Sequence, residues 1–310
     1  MEKKKVLITW SFFSNHINIF KKQFENKNIS YKVLLDRQAI SEKKLLKIIA
    51  PYHGIICGDD EITSKVIDRA KNLKVISKWG TGIDSIDSEY AKKRGIKVCN
   101  VPTAFTGEVA IYAVTIVLAL LRNLISSYNS NINGKWEKFT GQSISGKTLG
   151  VVGFGKIGKK ICSYSKKLGF KILINDRSIK QKKTAKTLGY IYANIKKIYK
   201  ESDVIVFAAD LNKTSYNLFN FNSLRYLKKK PILVNIARGP IVSELALIKA
   251  MKQGKISAFG LDVYENEPLK KSSKLLQFKN CFLSSHNAFN TEQSIKRCNQ
   301  KVFENLVKYI

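Results

Sequence analysis

The sequence predicts an α/β protein of two domains, each built around a doubly wound parallel sheet. Short apolar runs rich in β-branched residues alternate with helical patterns along the whole chain. Runs of this kind are typical of parallel strands that helices cover on both faces. The alternation restarts at Thr148, and 310 residues are enough for two domains that each have their own core.

Each series of apolar runs is predicted to supply one sheet. The predicted strands of the first series are residues 5–9, 31–35, 54–57, 74–77 and 96–99. Helical patterns lie between them, for example over residues 41–49 and 63–70. The predicted strands of the second series are residues 148–152, 171–175, 204–208, 232–236, 257–261 and 281–284.

Two longer helical patterns connect the predicted domains. Pro102 ends the first series, and an apolar helix is predicted over residues 105–126. An amphipathic helix over residues 291–310 is expected to return to the first domain. The predicted architecture is a flavodoxin-like domain, residues 1–99 and 288–310, into which a Rossmann domain, residues 100–287, is inserted.

A glycine-rich segment, Gly153-Phe154-Gly155-Lys156-Ile157-Gly158, follows the first strand of the second series and opens a helical pattern. Glycines at this spacing can make a tight turn, bring backbone N–H groups close to a pyrophosphate, and let helix and strand pack closely. The helix N-terminus then presents its partial positive charge to the phosphates. The segment predicts a dinucleotide site, and an ordinary glycine-rich turn is the alternative.

Asp176, which follows the next strand, is placed to accept hydrogen bonds from the adenosine ribose. Its negative charge disfavours a 2′-phosphate and favours NAD. The neighbouring Arg177 could attract that phosphate, which keeps NADP as a second candidate. The cofactor-binding residues predicted from this region are Gly153, Gly155, Lys156, Ile157, Gly158 and Asp176.

Three polar side chains follow consecutive predicted strands near the C-terminus: Arg238, Glu267 and His286. An arginine offers a planar fork that matches a carboxylate. A glutamate beside a histidine raises the pKa of the imidazole and fixes its tautomer, which suits proton transfer to a carbonyl. Taken singly, each could be a solvated loop residue. The other histidines, His16 and His53, are interpreted as structural.

In these motifs the chain resembles the D-isomer-specific 2-hydroxyacid dehydrogenases over essentially its whole length. The segments that carry the resemblance are residues 78–87, 100–102, 146–150, 235–240, 262–268 and 285–288, together with the glycine motif. The chain length and residues 78–87 are most similar to a compact phosphoglycerate dehydrogenase.

The resemblance implies roles for matching residues. Arg238 would bind the substrate carboxylate and polarise the carbonyl, and His286, paired with Glu267, would be the general acid of reduction. Further implied residues are Gly80, Thr81 and Gly82 for the substrate, and Thr106, Ala237 and Asp262 for the cofactor. The helix region 105–126 forms the dimer contact in the family, so a homodimer is expected.

The function implied is NAD-dependent interconversion of a D-2-hydroxy acid and its 2-keto acid, similar to phosphoglycerate dehydrogenase. The alternatives are another 2-ketoacid reductase, such as a glyoxylate or hydroxypyruvate reductase, and a non-catalytic NAD-binding regulator. Gly58-Asp59-Asp60 stands where some phosphoglycerate enzymes place an arginine, and Lys78 could substitute for it in phosphate recognition.

The formal net charge of +32 invites a nucleic-acid interpretation. Only eight of the 55 basic residues are arginine, however, and the lysines are spread over nearly every segment. This distribution predicts no specific nucleic-acid partner. The five cysteines show neither CxxC pairs nor metal-ligand spacing, and the apolar runs are too short for a signal peptide or a membrane span. A cytoplasmic protein without a metal site is expected.

Overall fold

The strands of both predicted series are present in the structure, a computed structural model that describes residues 3–36 and 39–310. In chain order they are β1 Lys4–Ile8, β2 Ile29–Val33, β3 Gly54–Cys57, β4 Val75–Lys78, β5 Lys97–Cys99, β6 Thr148–Val152, β7 Lys171–Asn175, β8 Ile191–Tyr192, β9 Val204–Phe207, β10 Ile232–Asn235, β11 Ala258–Leu261 and β12 Cys281–Leu283.

Helices follow most of these strands. In chain order they are α1 Ser11–Ser14, α2 Lys21–Asn26, α3 Glu42–Ile48, α4 Ser64–Arg69, α5 Ser88–Lys93, α6 Thr106–Leu121, α7 Leu124–Ile132, α8 Lys156–Lys167, α9 Ile179–Thr187, α10 Ile195–Glu201, α11 Glu244–Lys252 and α12 Glu292–Tyr309. Short 3₁₀ turns occur between several of the elements.

The chain divides into two units, one inserted in the other. The first unit consists of the described residues up to Phe105 together with Asn290–Ile310, and the second is Thr106–Phe289. The sequence places the boundaries at residues 99–100 and 287–288, whereas the second unit begins at Thr106 and ends at Phe289.

The first unit contains a five-stranded parallel sheet of order β2-β1-β3-β4-β5, the flavodoxin-like arrangement. Leu7, Ile55 and Ile76 on three adjacent strands are fully buried, and each contributes about 1.5–3 kcal/mol to folding. Helix α12 packs on β3 and β4, where the Ser77 hydroxyl donates to the Val302 carbonyl at 2.8 Å. The C-terminal helix therefore belongs to the first unit.

The second unit contains a seven-stranded parallel sheet of order β12-β11-β10-β9-β6-β7-β8. This is the Rossmann order extended by one strand, and the direction of winding reverses between β6 and β9. Phe207, Phe219 and Phe259 lie fully buried in its core. Ligands of such sheets bind at the carboxyl ends of the strands beside the reversal, which is where the glycine motif lies.

The prediction of a single helix over residues 105–126 is wrong. Helix α6 ends at Leu121, α7 begins at Leu124, and the two axes differ by 65°. Asn123 between them has a left-handed φ of 52°, a conformation that asparagine tolerates better than most residues. Its side chain donates to the Thr140 carbonyl at 2.9 Å, and the Gln142 N–H donates to the Leu121 carbonyl at 2.7 Å, so the returning chain caps the broken helix.

Strand β8, Ile191–Tyr192, was not predicted, because two residues are too few to form a pattern. Within residues 3–36 and 39–310, no single helix is long and apolar enough to cross a membrane, although the bent pair α6–α7 passes on length and composition alone. In the same residues, no three His, Cys, Asp or Glu side chains are grouped so as to hold a metal ion.

Candidate active site

The three glycines of the motif have separate structural roles. Gly153 has a φ of 98°, and a Cβ on it would lie 2.5 Å from the Ala209 backbone nitrogen, in the segment after β9. A Cβ on Gly158 would lie 2.0 Å from the Gly153 carbonyl oxygen. A Cβ on Gly155 would meet nothing within 4 Å. Two glycines therefore allow close backbone packing, and the third leaves open space beside the start of α8.

This open space fits the pyrophosphate of a dinucleotide. Helix α8 begins at Lys156, so the N–H groups of Lys156 and Ile157 have no partner within the helix. These N–H groups and the helix dipole favour an anion at this end. A side chain at position 155 would fill the space, which explains why glycine is required where the backbone must approach the phosphates.

Asp176 ties the glycine turn to the adjacent strand. Its two carboxylate oxygens accept hydrogen bonds from the Phe154 N–H at 2.7 Å and the Ser178 N–H at 2.8 Å. A carboxylate oxygen has a second lone pair, so both oxygens can also accept from ribose hydroxyls. Arg177 is exposed, and its Nη1 donates to the Asn212 side chain at 3.3 Å. The residues present therefore fit the adenosine half of NAD.

The loop that carries Arg238 is fixed by Asn235, a buried residue at the end of β10. Asn235 Oδ1 accepts from the Ala237 N–H at 3.1 Å, and Nδ2 donates to the Arg238 carbonyl at 3.0 Å. Arg238 is half-buried, and its Nη1 donates to the Ala237 carbonyl at 2.8 Å. A Cβ on Gly239 would lie 1.8 Å from the Tyr264 carbonyl, so only glycine lets this loop touch the loop after β11.

His286 and Glu267 form a direct pair at the ends of β12 and β11. The imidazole Nδ1 lies 2.9 Å from Glu267 Oε2, and the two side chains are 33% and 28% exposed. Because a carboxylate only accepts hydrogen bonds, Nδ1 carries a proton in this pair, which leaves Nε2 to exchange a proton with a ligand. The other oxygen, Oε1, accepts from the Tyr264 N–H at 3.0 Å and so fixes the carboxylate.

The backbone at His286 is held in an uncommon conformation. Its φ is 52°, in the left-handed region, and its N–H donates to the Asp262 carbonyl at 2.8 Å. Left-handed residues other than glycine cost energy and persist where neighbouring contacts impose them. The position of the imidazole is therefore set by the loop.

Asp262 is the residue that organises this loop. Its buried carboxylate accepts from the Ser284 hydroxyl, from the Asn287 N–H at 2.7 Å and from the Ala288 N–H at 3.0 Å. Burial raises the pKa of Asp262, and these hydrogen bonds act in the opposite direction. The resemblance assigns Asp262 to the cofactor, and that role stays a prediction. The contacts show a positioning role for Asp262 beneath His286.

The turn of residues 80–82 lies in the first unit, at the end of β4, whereas the Arg238, Glu267 and His286 loops lie in the second. Gly80 has a φ of 119°, and its carbonyl accepts from the Val101 N–H at 2.8 Å. The Thr81 carbonyl accepts from the Asn100 side chain at 2.6 Å. Among the described residues, none accepts a hydrogen bond from the N–H groups of Thr81 or Gly82. Thr106, a predicted cofactor residue, is the first residue of α6.

Several supporting residues have no role in the sequence-based prediction. The Tyr264 hydroxyl donates to the Ser284 carbonyl at 2.7 Å and joins the loops after β11 and β12. No local pattern could reveal this contact, because it depends on the sheet order. The role of Asn235 could be predicted from the sequence, since an asparagine side chain often accepts a hydrogen bond from the backbone N–H two residues further on.

Fold and site together define a class of protein. A parallel sheet of Rossmann order, a glycine turn that fits a pyrophosphate, and a histidine–glutamate pair beside an arginine loop are the features of a nicotinamide-dependent dehydrogenase. Arg238 follows β10, which is the third strand in the row β12-β11-β10. An arginine at this position suits a substrate that carries a carboxylate.

Comparison with known proteins identifies the family within that class. The model of the D-isomer specific 2-hydroxyacid dehydrogenase, NAD binding domain, matches residues 114–288. The glyoxylate reductase of Thermococcus kodakarensis is 35% identical over 315 residues, covering 98% of this chain and 92% of that protein. The glyoxylate reductase of Pyrococcus furiosus is 32% identical, covering 99% and 93%. The crystal structure of TT0316 protein from Thermus thermophilus superposes with a TM-score of 0.88 at 28% identity, covering 98% and 96%.

The chain therefore belongs to the D-isomer-specific 2-hydroxyacid dehydrogenases and is an NAD-dependent enzyme. The predicted fold class and cofactor are confirmed. The finer resemblance to phosphoglycerate dehydrogenase is not what these relatives support, because those named above are glyoxylate reductases.

Proposed function

We propose that this enzyme reduces a small, unphosphorylated 2-oxo acid of the glyoxylate and hydroxypyruvate class with NADH. The observation that carries the proposal is the 2.9 Å pair between His286 and Glu267, in a unit whose glycine turn fits a dinucleotide. The names of the relatives, glyoxylate reductase, support the substrate class.

The chemistry assigns one task to each group. NADH supplies a hydride to the substrate carbon when it is bound. His286 Nε2 gives a proton to the carbonyl oxygen, and Glu267 stabilises the imidazolium before that transfer. Arg238 binds the substrate carboxylate and polarises the carbonyl. For glyoxylate, the overall change is glyoxylate plus NADH plus a proton to glycolate plus NAD⁺.

The packing around Gly58 in the first unit disfavours a phosphorylated substrate. A Cβ on Gly58 would lie 1.9 Å from Cε3 of Trp10, so the indole ring occupies the space that an arginine side chain at position 58 would need. Trp10 is packed against Phe12 and Trp79, with ring centroids 5.9 Å apart in both pairs. An aromatic surface thus replaces the cation that some phosphoglycerate enzymes of the family place there.

A substrate panel tests the proposal. Glyoxylate, hydroxypyruvate, pyruvate and 3-phosphohydroxypyruvate are each supplied with NADH and with NADPH, and kcat/KM is measured from the absorbance of the reduced cofactor. We expect the highest kcat/KM for glyoxylate or hydroxypyruvate with NADH. A preference for 3-phosphohydroxypyruvate would restore the phosphoglycerate interpretation. NADH binding without turnover of any acid would favour a regulator.

We also propose that the enzyme is a homodimer. Leu124, Tyr128 and Ile132 recur every four residues along α7 and are 55%, 65% and 63% exposed. Trp136, just beyond the helix, is 88% exposed. An apolar stripe of this kind is typical of a surface that a partner covers. The stripe begins at Leu124, inside the region 105–126 that the resemblance assigns to the dimer contact, and continues beyond that region.

A further inference from the structure

Lys78 is the one buried lysine among the described residues. It is the last residue of β4, and its side chain is 5% exposed. Its Nζ donates to the Trp79 carbonyl at 3.0 Å and pairs with Asp59 Oδ1 at 3.0 Å. Burying an ammonium group costs free energy even when the group is paired. The buried position of Lys78 therefore indicates a role beyond packing.

The buried charge lies directly behind the turn of residues 80–82. A Cβ on Gly80 would lie 3.5 Å from Lys78 Nζ. The same turn carries the N–H groups of Thr81 and Gly82, for which no described residue supplies an acceptor. Unpartnered N–H donors with a cation behind them can bind an anion, because both attract negative charge.

The Asp59 carboxylate lies 3.0 Å from Lys78 Nζ and offsets part of the positive charge that would attract an anion. Cys57 and Lys78 are register partners at the carboxyl ends of β3 and β4, and Asp59 follows Cys57 by two residues. The Asp59 side chain is 52% exposed, so its carboxylate faces solvent beside the turn. Asp60 is fully buried, and burial raises its pKa, although its hydrogen bonds and the Lys78 charge act in the opposite direction.

We infer that Lys78 draws the carboxylate of a 2-oxo acid to the turn of residues 80–82, and that Asp59 rejects a second anionic group such as a phosphate. The inference rests on the proposed function for its substrate class. Lys78 provides the attraction, and Asp59 provides the repulsive element that specificity requires. Lys78 is a positioning residue here, since its charge acts through the turn.

Four variants test the inference. Lys78→Met removes the charge, Lys78→Arg keeps it, and Asp59→Asn removes the opposing charge. Asp36→Asn breaks the exposed 2.9 Å pair with Lys44 in the same unit and serves as the matched control. For each variant kcat and KM are measured with glyoxylate and 3-phosphohydroxypyruvate. The Kd values of NADH, and of oxamate in the presence of NADH, are measured by calorimetry.

We expect Lys78→Met to raise the KM of glyoxylate and the Kd of oxamate roughly tenfold, with kcat and NADH affinity nearly unchanged. Lys78→Arg restores most of the loss. Asp59→Asn improves kcat/KM for 3-phosphohydroxypyruvate relative to glyoxylate by roughly fivefold. The control variant matches the wild type.

Unchanged oxamate affinity in a folded Lys78→Met protein, or an unchanged substrate ratio in Asp59→Asn, would overturn the inference. Should Lys78→Met fail to fold, Asp59→Asn decides through oxamate, whose Kd must fall when the opposing carboxylate is removed. If the wild type binds oxamate but reduces none of the acids, the proposed function is wrong, while the oxamate titrations still decide the inference.

Discussion

The proposed site contains two kinds of residue, those that could contact a ligand and those that hold them in position. His286 and Glu267 are about one-third exposed, as a ligand requires, whereas Asp262 and Asn235 beneath them are almost fully buried. The hydrogen bonds that the Asp262 and Asn235 side chains make among the described residues go to the loops that carry His286 and Arg238. Buried polar residues of this kind fix geometry because losing one partner leaves an unsatisfied group.

The turn between β6 and α8 needs glycine for two reasons, close backbone packing and room for a ligand. Gly153 and Gly158 satisfy packing, because a Cβ on either would strike backbone atoms within 2.5 Å. Gly155 satisfies ligand access, because the space around it is open. Substitution by alanine should separate these two requirements.

Gly155→Ala is expected to leave the thermal unfolding midpoint within about 1 °C of the wild type, since its φ of −71° suits alanine. The same change should weaken NADH binding about tenfold or more by filling the phosphate space. Gly158→Ala should lower stability by about 1–3 kcal/mol as well as weakening NADH. Thermal unfolding with and without NADH measures both effects. A destabilised Gly155→Ala protein, or a fully stable Gly158→Ala protein, would contradict these roles.

Much of the fold could be predicted from local pattern, and less of the site. Apolar runs separated by helices predicted both sheets, and the glycine spacing predicted the dinucleotide turn. The break at Asn123 was missed because apolar spacing continues through it. The Tyr264–Ser284 contact and the Trp10 ring over Gly58 join residues that only the sheet order brings together. Local sequence carries no signal for such contacts.

Across the whole molecule, the lysine-rich surface contrasts with the apolar stripe on α7. With a net charge of +32, two copies of the chain repel each other over most of their surfaces. The stripe on α7 is an exception, with Leu124, Tyr128 and Ile132 on one face. Association through that face would cover the largest side chains that the helix exposes.

Light scattering after size exclusion tests this association. The wild type should have twice the 35.1 kDa mass of the chain, and the double variant Tyr128→Glu, Ile132→Glu should have the mass of one chain. Ile179→Glu, on the 74%-exposed Ile179 of α9, is the matched control and should stay dimeric. A monomeric wild type would rule out the homodimer, and a dimeric double variant would move the interface elsewhere.

We propose that His286, held by Glu267, is the proton donor for reduction of a 2-oxo acid. The most direct test is the pH dependence of kcat/KM for glyoxylate reduction in the wild type, Glu267→Gln and His286→Asn. We predict that wild-type activity falls at alkaline pH, and that in Glu267→Gln this fall begins at a lower pH, because the imidazolium has lost its carboxylate. His286→Asn should lose about 10²–10⁴-fold in rate while retaining NADH affinity. Superimposable profiles for all three proteins would rule out His286 as the proton donor.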